Sequence, residues 1–341
     1  MYKVGLVGLP NAGKSTLFNT ITGANALTAP YPFSTVDPNK ATFKLIDNDI
    51  MNMAQVIVPN SLSLSDVEVW DIAGLIDGAS EGEGLGTEFL GHILECDLII
   101  HVVRYVEENV ETDIKTVDNE IVKFDHKLLQ KPFEKARRMA KLYPKEDHHV
   151  KHDQTISKAY YGTKEGKKLI DILSPNELDE IKQLGLVSAK PKLFVYNLTA
   201  SKDSLNSIHN EPHIAIDFLN LFSLSTLTKD ELDELGWSND EISEFYTVLS
   251  EKIIKLSKSK RFYTVGDLGI GLWLAPIEAP SSYCCKLIHS DLSGALKSVR
   301  VAKMDDFIKY KSWPALIKSG LVKKFGQNYV PNDKDILLFE K

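Results

Sequence analysis

Gly8-Leu9-Pro10-Asn11-Ala12-Gly13-Lys14-Ser15 fits the pattern G-x-x-x-x-G-K-[ST], which is built to cradle phosphates. Glycine at 8 and 13 lets the backbone turn tightly and come close to an anion where a Cβ would obstruct it. The backbone from Asn11, Ala12 and Gly13 to Lys14, Ser15 and Thr16 is therefore the candidate nucleotide-binding stretch. Lys14 would reach the β/γ-phosphates, and Ser15 would offer its hydroxyl to Mg²⁺. The helix expected after the loop would direct its positive end at the same charge.

Asp71-Ile72-Ala73-Gly74 supplies the second part of such a site. Asp71 would hold Mg²⁺ through water, and Gly74 would give its N–H to the γ-phosphate. Thr35, in the proline-rich segment from Ala29 to Asn39, is either the hydroxyl that closes on Mg²⁺ when triphosphate is bound or part of an inert turn. The metal set is thus Ser15, Thr35 and Asp71, and the catalytic set is Lys14, Thr35, Gly74 and His101. Leu75 stands where a Ras-type GTPase carries a water-orienting glutamine, so hydrolysis must find its organiser elsewhere. His101 lies inside the apolar run Leu98 to Val103 and has two readings: a hydrogen-bonded core side chain, or the group that positions the attacking water.

The elements that must hold these residues follow from periodicity. Lys3 to Val7, Val67 to Trp70, Leu98 to Val103 and Lys192 to Tyr196 read as buried strands, and Ser15 to Ile21 opens a helix. From Ile121 to Gly185 the pattern is that of an insertion. Val122, Leu129, Ala136 and Tyr143 repeat at heptad spacing beside Leu128, Phe133 and Ala140, which predicts a helix facing a partner helix. Pro132 predicts a kink and Pro144 an end, with a returning helix over about 154–173. Ser174-Pro175-Asn176-Glu177 is a capping box. His148 and His152, near the tip, are either solvated polar residues or a metal-binding pair at helical spacing. Ile214 to Ser225 predicts the last strand and its loop, with two capping boxes at Thr228 to Glu231 and Ser238 to Glu241, and a helix ending near Lys260. Beyond Phe262, Gly271 to Pro276, Cys285 to His289 and Ile336 to Phe339 are strand candidates of a small α+β domain.

Composition narrows the class. No apolar run approaches the ~18 residues of a membrane span, and the N-terminus reads as a strand, not a signal peptide. A cytoplasmic protein without membrane contact is expected. The three cysteines, Cys96, Cys284 and Cys285, imply no disulfide framework; the adjacent pair is either redox-active or simply strand-lining. Net charge is −7, yet 121–168 holds thirteen Lys/Arg against six Asp/Glu and 252–324 holds fourteen against five. Two basic regions on an acidic chain point to local contact with a polyanion such as RNA, or to solvated faces.

Taken together, these motifs resemble those of the YchF/Obg-like ATPase family. The resemblance rests on Gly5 to Asn19, Tyr31-Pro32-Phe33-Ser34-Thr35 with Pro38-Asn39, Gly78 to Gly86, His101-Val102-Val103-Arg104, and the C-terminal Ile288 to Leu292, Phe307 to Lys311 and Asn328 to Val330. It implies an α/β P-loop NTPase domain, an inserted helical, coiled-coil-like arm and a C-terminal β-grasp TGS domain associated with RNA. The expected divisions are 1–120 and 187–261 for the nucleotide domain, 121–186 for the arm and 262–341 for the TGS-like part. The implied activity is slow, Mg²⁺-dependent hydrolysis of ATP, with GTP as a second candidate, on a protein that associates with ribosomes; the protein partner is left open. Without a glutamine or arginine finger, turnover should be on the order of 10⁻⁴ to 10⁻² s⁻¹. Asn197 and Leu198, with Ser225, fall where guanine-binding relatives read the base, but Ala200 offers no carboxylate, so guanine selectivity is unsupported. Asn11 matches a position that helps hold K⁺ in related potassium-stimulated NTPases. The rival readings are a nucleotide-gated RNA- or ribosome-binding module with incidental hydrolysis, and a GTP-specific ribosome assembly GTPase.

Overall fold

A computed structural model describes residues 1–22, 39–57, 59–72, 91–106, 109–198, 212–227, 231, 240–266, 269–288 and 296–340. They form two compact units: Met1–Thr42 with Glu68–Leu235, and Phe43–Val67 with Gly236–Lys341.

The first unit is organised by a sheet of β1 (Tyr2–Val7), β2 (Asn39–Lys44), β4 (Asp66–Asp71), β5 (Leu98–Arg104), β6 (Lys192–Asn197) and β7 (His213–Ile216), in the order β2-β4-β1-β5-β6-β7. The strands expected at Lys3 to Val7, Val67 to Trp70, Leu98 to Val103 and Lys192 to Tyr196 are present. β1, β5, β6 and β7 are parallel, in a register that pairs Val7 with His101, His101 with Phe194, and Asn197 with Ile216. Parallel strands covered on both faces need near-continuous apolar sequence, and β5 is buried from Leu98 to Val103. Their carboxyl ends therefore finish side by side, where open α/β sheets bind ligands.

Helix α1 (Lys14–Thr22) leaves directly from the glycine loop. Between β5 and β6 run α3 (Val110–Leu142) and α4 (Asp147–Lys164), then the short α5 (Leu169–Ile172) and α6 (Pro175–Glu180). The seam read from the heptads is real at Val122, Leu129 and Ala136, which are buried, whereas Tyr143 is 44% exposed. Leu129 and Ala136 share a core with Ile156, Ala159, Leu169 and Leu173, and Phe133 stacks on Tyr160 at 4.3 Å. Pro132 is accommodated inside α3, which stops at Leu142, two residues before Pro144. The return differs from the expected single helix over 154–173. It starts at Asp147 and breaks after Lys164, where Gly166 takes φ of 78°. The capping box at Ser174 and Glu177 forms as read. At the base, the fully buried Asp125 accepts from Val187 N at 2.8 Å and Ser188 N at 2.7 Å, tying α3 to the turn that leads into β6.

After β7 the expected loop is instead helix α7 (Phe218–Thr226). Asp217 caps it, accepting from Leu219 N at 2.9 Å and Asn220 N at 3.3 Å, so the local hydrogen bonding favours a helix start immediately after the strand.

The second unit combines α2 (Asn48–Ile57), β3 (Leu62–Leu64), α8 (Asp240–Leu256), β8 (Ser259–Gly266), β9 (Gly269–Pro276), α9 (Ser281–Ile288), β10 (Ser298–Lys303), α10 (Met304–Tyr310), α11 (Trp313–Lys318), β11 (Lys323–Phe325) and β12 (Asp335–Glu340). Its sheet order is β11-β10-β12-β8-β9-β3. Two strand readings hold, at Gly271–Pro276 and Ile336–Phe339. The third is corrected: Cys285 to Ile288 is helical, with Cys284 and Cys285 buried on the inner face of α9. Burial pushes the Cys284 thiol up to about 11, which keeps it protonated and argues against a redox role. The preceding helix ends at Leu256 and the sheet begins at Ser259, slightly earlier than read. The boundary at 120 keeps 43–67 with the first part of the nucleotide domain, but these residues pack in the second unit. Ile50 and Met53 are fully buried against Tyr263, Ile270 and Leu272, and β3 pairs with β9. No described helix is long and apolar enough to cross a membrane.

Candidate nucleotide site

The loop after β1 takes the conformation its glycines predict. Gly8, Asn11 and Gly13 have φ of 154°, 63° and 104°. A Cβ at Gly8 would sit 2.3 Å from the Val102 carbonyl oxygen, and one at Gly13 would sit 2.7 Å from the Phe218 ring. Neither backbone nor ring can yield that distance cheaply, so both positions require glycine for space as well as for φ. Successive N–H groups in such left-handed turns form a concave anion-binding surface.

Lys14 is 7% exposed, and its Nζ donates to Gly8 O at 3.0 Å and Leu9 O at 3.2 Å, folding back over its own loop. Burial lowers its pKa, while the charge of Asp71 opposes that shift. Asp71, at the end of β4, has its carboxyl pushed up by burial; the Ser15 hydroxyl and the Lys14 charge pull it back down. Ser15 Oγ donates to Asp71 Oδ2 at 3.0 Å, and buried Oδ1 has no hydrogen-bond partner among the described residues. A hydroxyl and a half-satisfied carboxylate side by side suit a hard divalent cation with oxygen ligands.

The end of β6 reaches the same loop: Asn197 Nδ2 donates to Ala12 O at 3.2 Å. Leu198 packs with the cluster containing Val103 and Tyr105. Asn11 is exposed on the loop, and Thr16 sits in the first turn of α1, where its carbonyl accepts from Thr20 Oγ1 at 2.9 Å. Ser225 lies in α7, its Oγ donating to Phe222 O at 2.8 Å, so it is a helix residue and not the loop residue it was expected to be. Phe218, behind Gly13, escaped the sequence reading. Its only signal there is an aromatic residue following the capping aspartate. Thr35, Gly74, Leu75, Ala200 and the glycine-rich run from Gly78 to Gly86 lie outside the described residues.

His101 is 1% exposed within β5, tilted against Phe194 at 5.2 Å between ring centres. It is a core side chain, though among the described residues Nδ1 has no hydrogen-bond partner, unlike the satisfied histidine one expects in a core. Such enclosure leaves it no surface on which to hold an attacking water. Burial depresses its pKa from 6.5 to about 3. Below pH 6.5 the unfolded chain binds a proton that the folded chain refuses, so this group's contribution to stability falls as pH falls towards 3. Between pH 7 and pH 5 the wild type should lose about 2 kcal/mol more than His101→Val, measured by urea denaturation at each pH. Parallel losses would show that His101 does not titrate in this way.

Residues 3–137 match a family model described as a 50S ribosome-binding GTPase. Residues 260–341 match another, named for the C-terminal part of YchF GTPases and described as a protein of unknown function. A relative from Buchnera aphidicola subsp. Acyrthosiphon pisum, "Ribosome-binding ATPase YchF", is 31% identical over 99% of this chain and 98% of its own. The chain belongs to the YchF family. A Mycoplasma genitalium protein of the same name is 32% identical over 100% of this chain and 99% of its own. The structure of the Schizosaccharomyces pombe YchF GTPase superposes with a TM-score of 0.79 at 24% identity, covering 99% of this chain and 97% of the other. That likeness fixes the YchF fold, and with the family it makes this chain a P-loop nucleoside triphosphatase.

Proposed function

We propose that this YchF-family chain hydrolyses ATP slowly, accepts GTP as a second substrate, and uses the nucleotide state to control attachment to the ribosome. The observation that carries the reading is the convergence of Lys14, Ser15 and Asp71 on one glycine loop, in a family whose members are named ribosome-binding ATPases. The loop amides bind and orient the triphosphate, and Lys14 leaves the Gly8 and Leu9 carbonyls to neutralise charge on the β- and γ-phosphates. Ser15 and Asp71 would hold Mg²⁺, which when bound neutralises charge developing on the phosphate oxygens. Thr35 and Gly74 are assigned the γ-phosphate side, Thr35 as a further metal ligand and Gly74 through its backbone N–H. Asn11 is the candidate K⁺ ligand, and equal turnover in sodium and potassium buffers would remove that assignment.

The α3–α4 pair is the helical arm of this proposal, and the C-terminal unit supplies its TGS-like part; the partner in the cytoplasm is one that contains RNA. Along α3 the exposed Lys127, Lys131, Lys135 and Arg138 repeat on one side at helical spacing, as a phosphate-contacting face would. The test is co-sedimentation with ribosomes in ATP, ADP and GTP, with turnover measured in the same samples. Triphosphate-dependent binding with accelerated turnover is expected. Binding without acceleration would make the chain a nucleotide-gated module, and loss of binding in every nucleotide would overturn the ribosomal part of the proposal.

A further inference from the structure

The turn between α3 and α4 gathers three ligand-type side chains. Glu146 N donates to Tyr143 O at 3.1 Å, and His149 N and Val150 N donate to Glu146 O at 3.0 and 3.3 Å. This stitching places Glu146, just before α4, beside His148 and His149 in its first turn. His149 Nε2 lies 3.4 Å from Glu146 Oε2, and His148 Nε2 lies 3.7 Å from the same oxygen. All three ligand atoms fall within 4.8 Å of one another.

By spacing, His148 and His152 are either solvated residues or a metal-binding pair, but His152 Nδ1 is engaged by Glu180 Oε1 at 2.6 Å. His148 is left to converge with its neighbour. Their rings lie 3.9 Å apart between centres, and Tyr143 stacks on His149 at 5.3 Å, which restrains that imidazole to 23% side-chain exposure.

We propose that Glu146, His148 and His149 form a Zn²⁺ site at the tip of the helical pair, with a water in the fourth position. In a tetrahedral site with bonds of about 2.0–2.1 Å, ligand atoms stand about 3.3 Å apart, so the two spacings to Glu146 are within about 0.4 Å of what the ion requires. Two imidazole nitrogens and one carboxylate oxygen select zinc and its neighbours over Mg²⁺, which prefers all-oxygen shells. A cation at a helix start opposes the helix dipole, and the carboxylates of Glu146 and Asp147 offset that. The site is separate from the phosphate loop in residues, ligand type and metal preference.

The test uses the full chain purified without a histidine tag and saturated with Mg²⁺ and a nucleoside diphosphate, so that the phosphate loop does not take the added metal. Zn²⁺ is titrated against a chromophoric chelator, and Co²⁺ serves as a spectroscopic probe. One Zn²⁺ per chain and a tetrahedral Co²⁺ spectrum are expected. His148→Ala with His149→Ala should weaken binding by at least about tenfold, Glu146→Gln should weaken it, and His152→Ala should leave it unchanged. No competition with the chelator by the wild type, or equal affinity in wild type and the double variant, would overturn the site. Circular dichroism checks the double variant's fold; should it misfold, Glu146→Gln against His152→Ala decides alone.

Discussion

Lys14→Ala should weaken triphosphate binding and lower single-turnover hydrolysis by about 10²–10³-fold, the cost of removing one charged donor from a phosphoryl-transfer site. The fold should survive the change. Burial works against the Lys14 charge, and of its two acceptors, Gly8 O and Leu9 O, the second also accepts from Ala12 N at 3.2 Å and so keeps a donor without the ammonium. The thermal midpoint of the variant should therefore stay within a few degrees of the wild type, so that lost turnover reports chemistry. Retained turnover would remove Lys14 from the phosphate site and the glycine loop with it. A large drop in midpoint would mean that the ammonium is a structural clamp on the loop.

Asp47→Ala should produce the largest loss of stability, about 3 kcal/mol in the second unit. Asp47 is 1% exposed and accepts from Ile50 N at 2.9 Å, Tyr263 Oη at 2.5 Å and Arg261 Nη1 at 3.3 Å. Arg261 keeps Asp333 when Asp47 is removed, and Tyr263 keeps a longer bond to Asp49 at 3.3 Å. The Ile50 amide keeps no partner of that quality at the start of α2, and an orphaned buried donor costs its full desolvation. Hydrogen exchange should then lose protection in α2, β8 and β9 while β1 and β5 keep theirs. Uniform loss across both units, or none, would refute the local assignment.

The conformation of the glycine loop was legible because it is local, set by eight consecutive residues, and short apolar stretches bounded by the loop and by Asp71 marked β1, β4, β5 and β6. The helical pair was readable because Val122, Leu129 and Ala136 keep one spacing over several turns. Short segments were not. Cys285 to Ile288 carries too few residues to separate a period of two from one of 3.6, and the deciding fact is tertiary, the packing of Cys284 against Phe262, Val299 and Leu337 of the second sheet. Phe218 was missed for the same reason: its place behind Gly13 depends on a register between β6 and β7 that nothing near it in sequence states. The membership of 43–67 in the second unit depends on partners far along the chain, beyond the reach of any window.

That last feature imposes an order on biosynthesis. Asp47 and Tyr263 are 216 positions apart. At about 5–20 residues per second, the nascent segment bearing Ile50 and Met53 waits roughly 10–40 s for the strands that will cover it. During that interval it is an apolar, amphipathic stretch with no native place to go, embedded in a half-made nucleotide domain. A stop codon before β8 would make that condition permanent, so chains truncated there should be held by chaperones or degraded rather than persist as free nucleotide-binding domains.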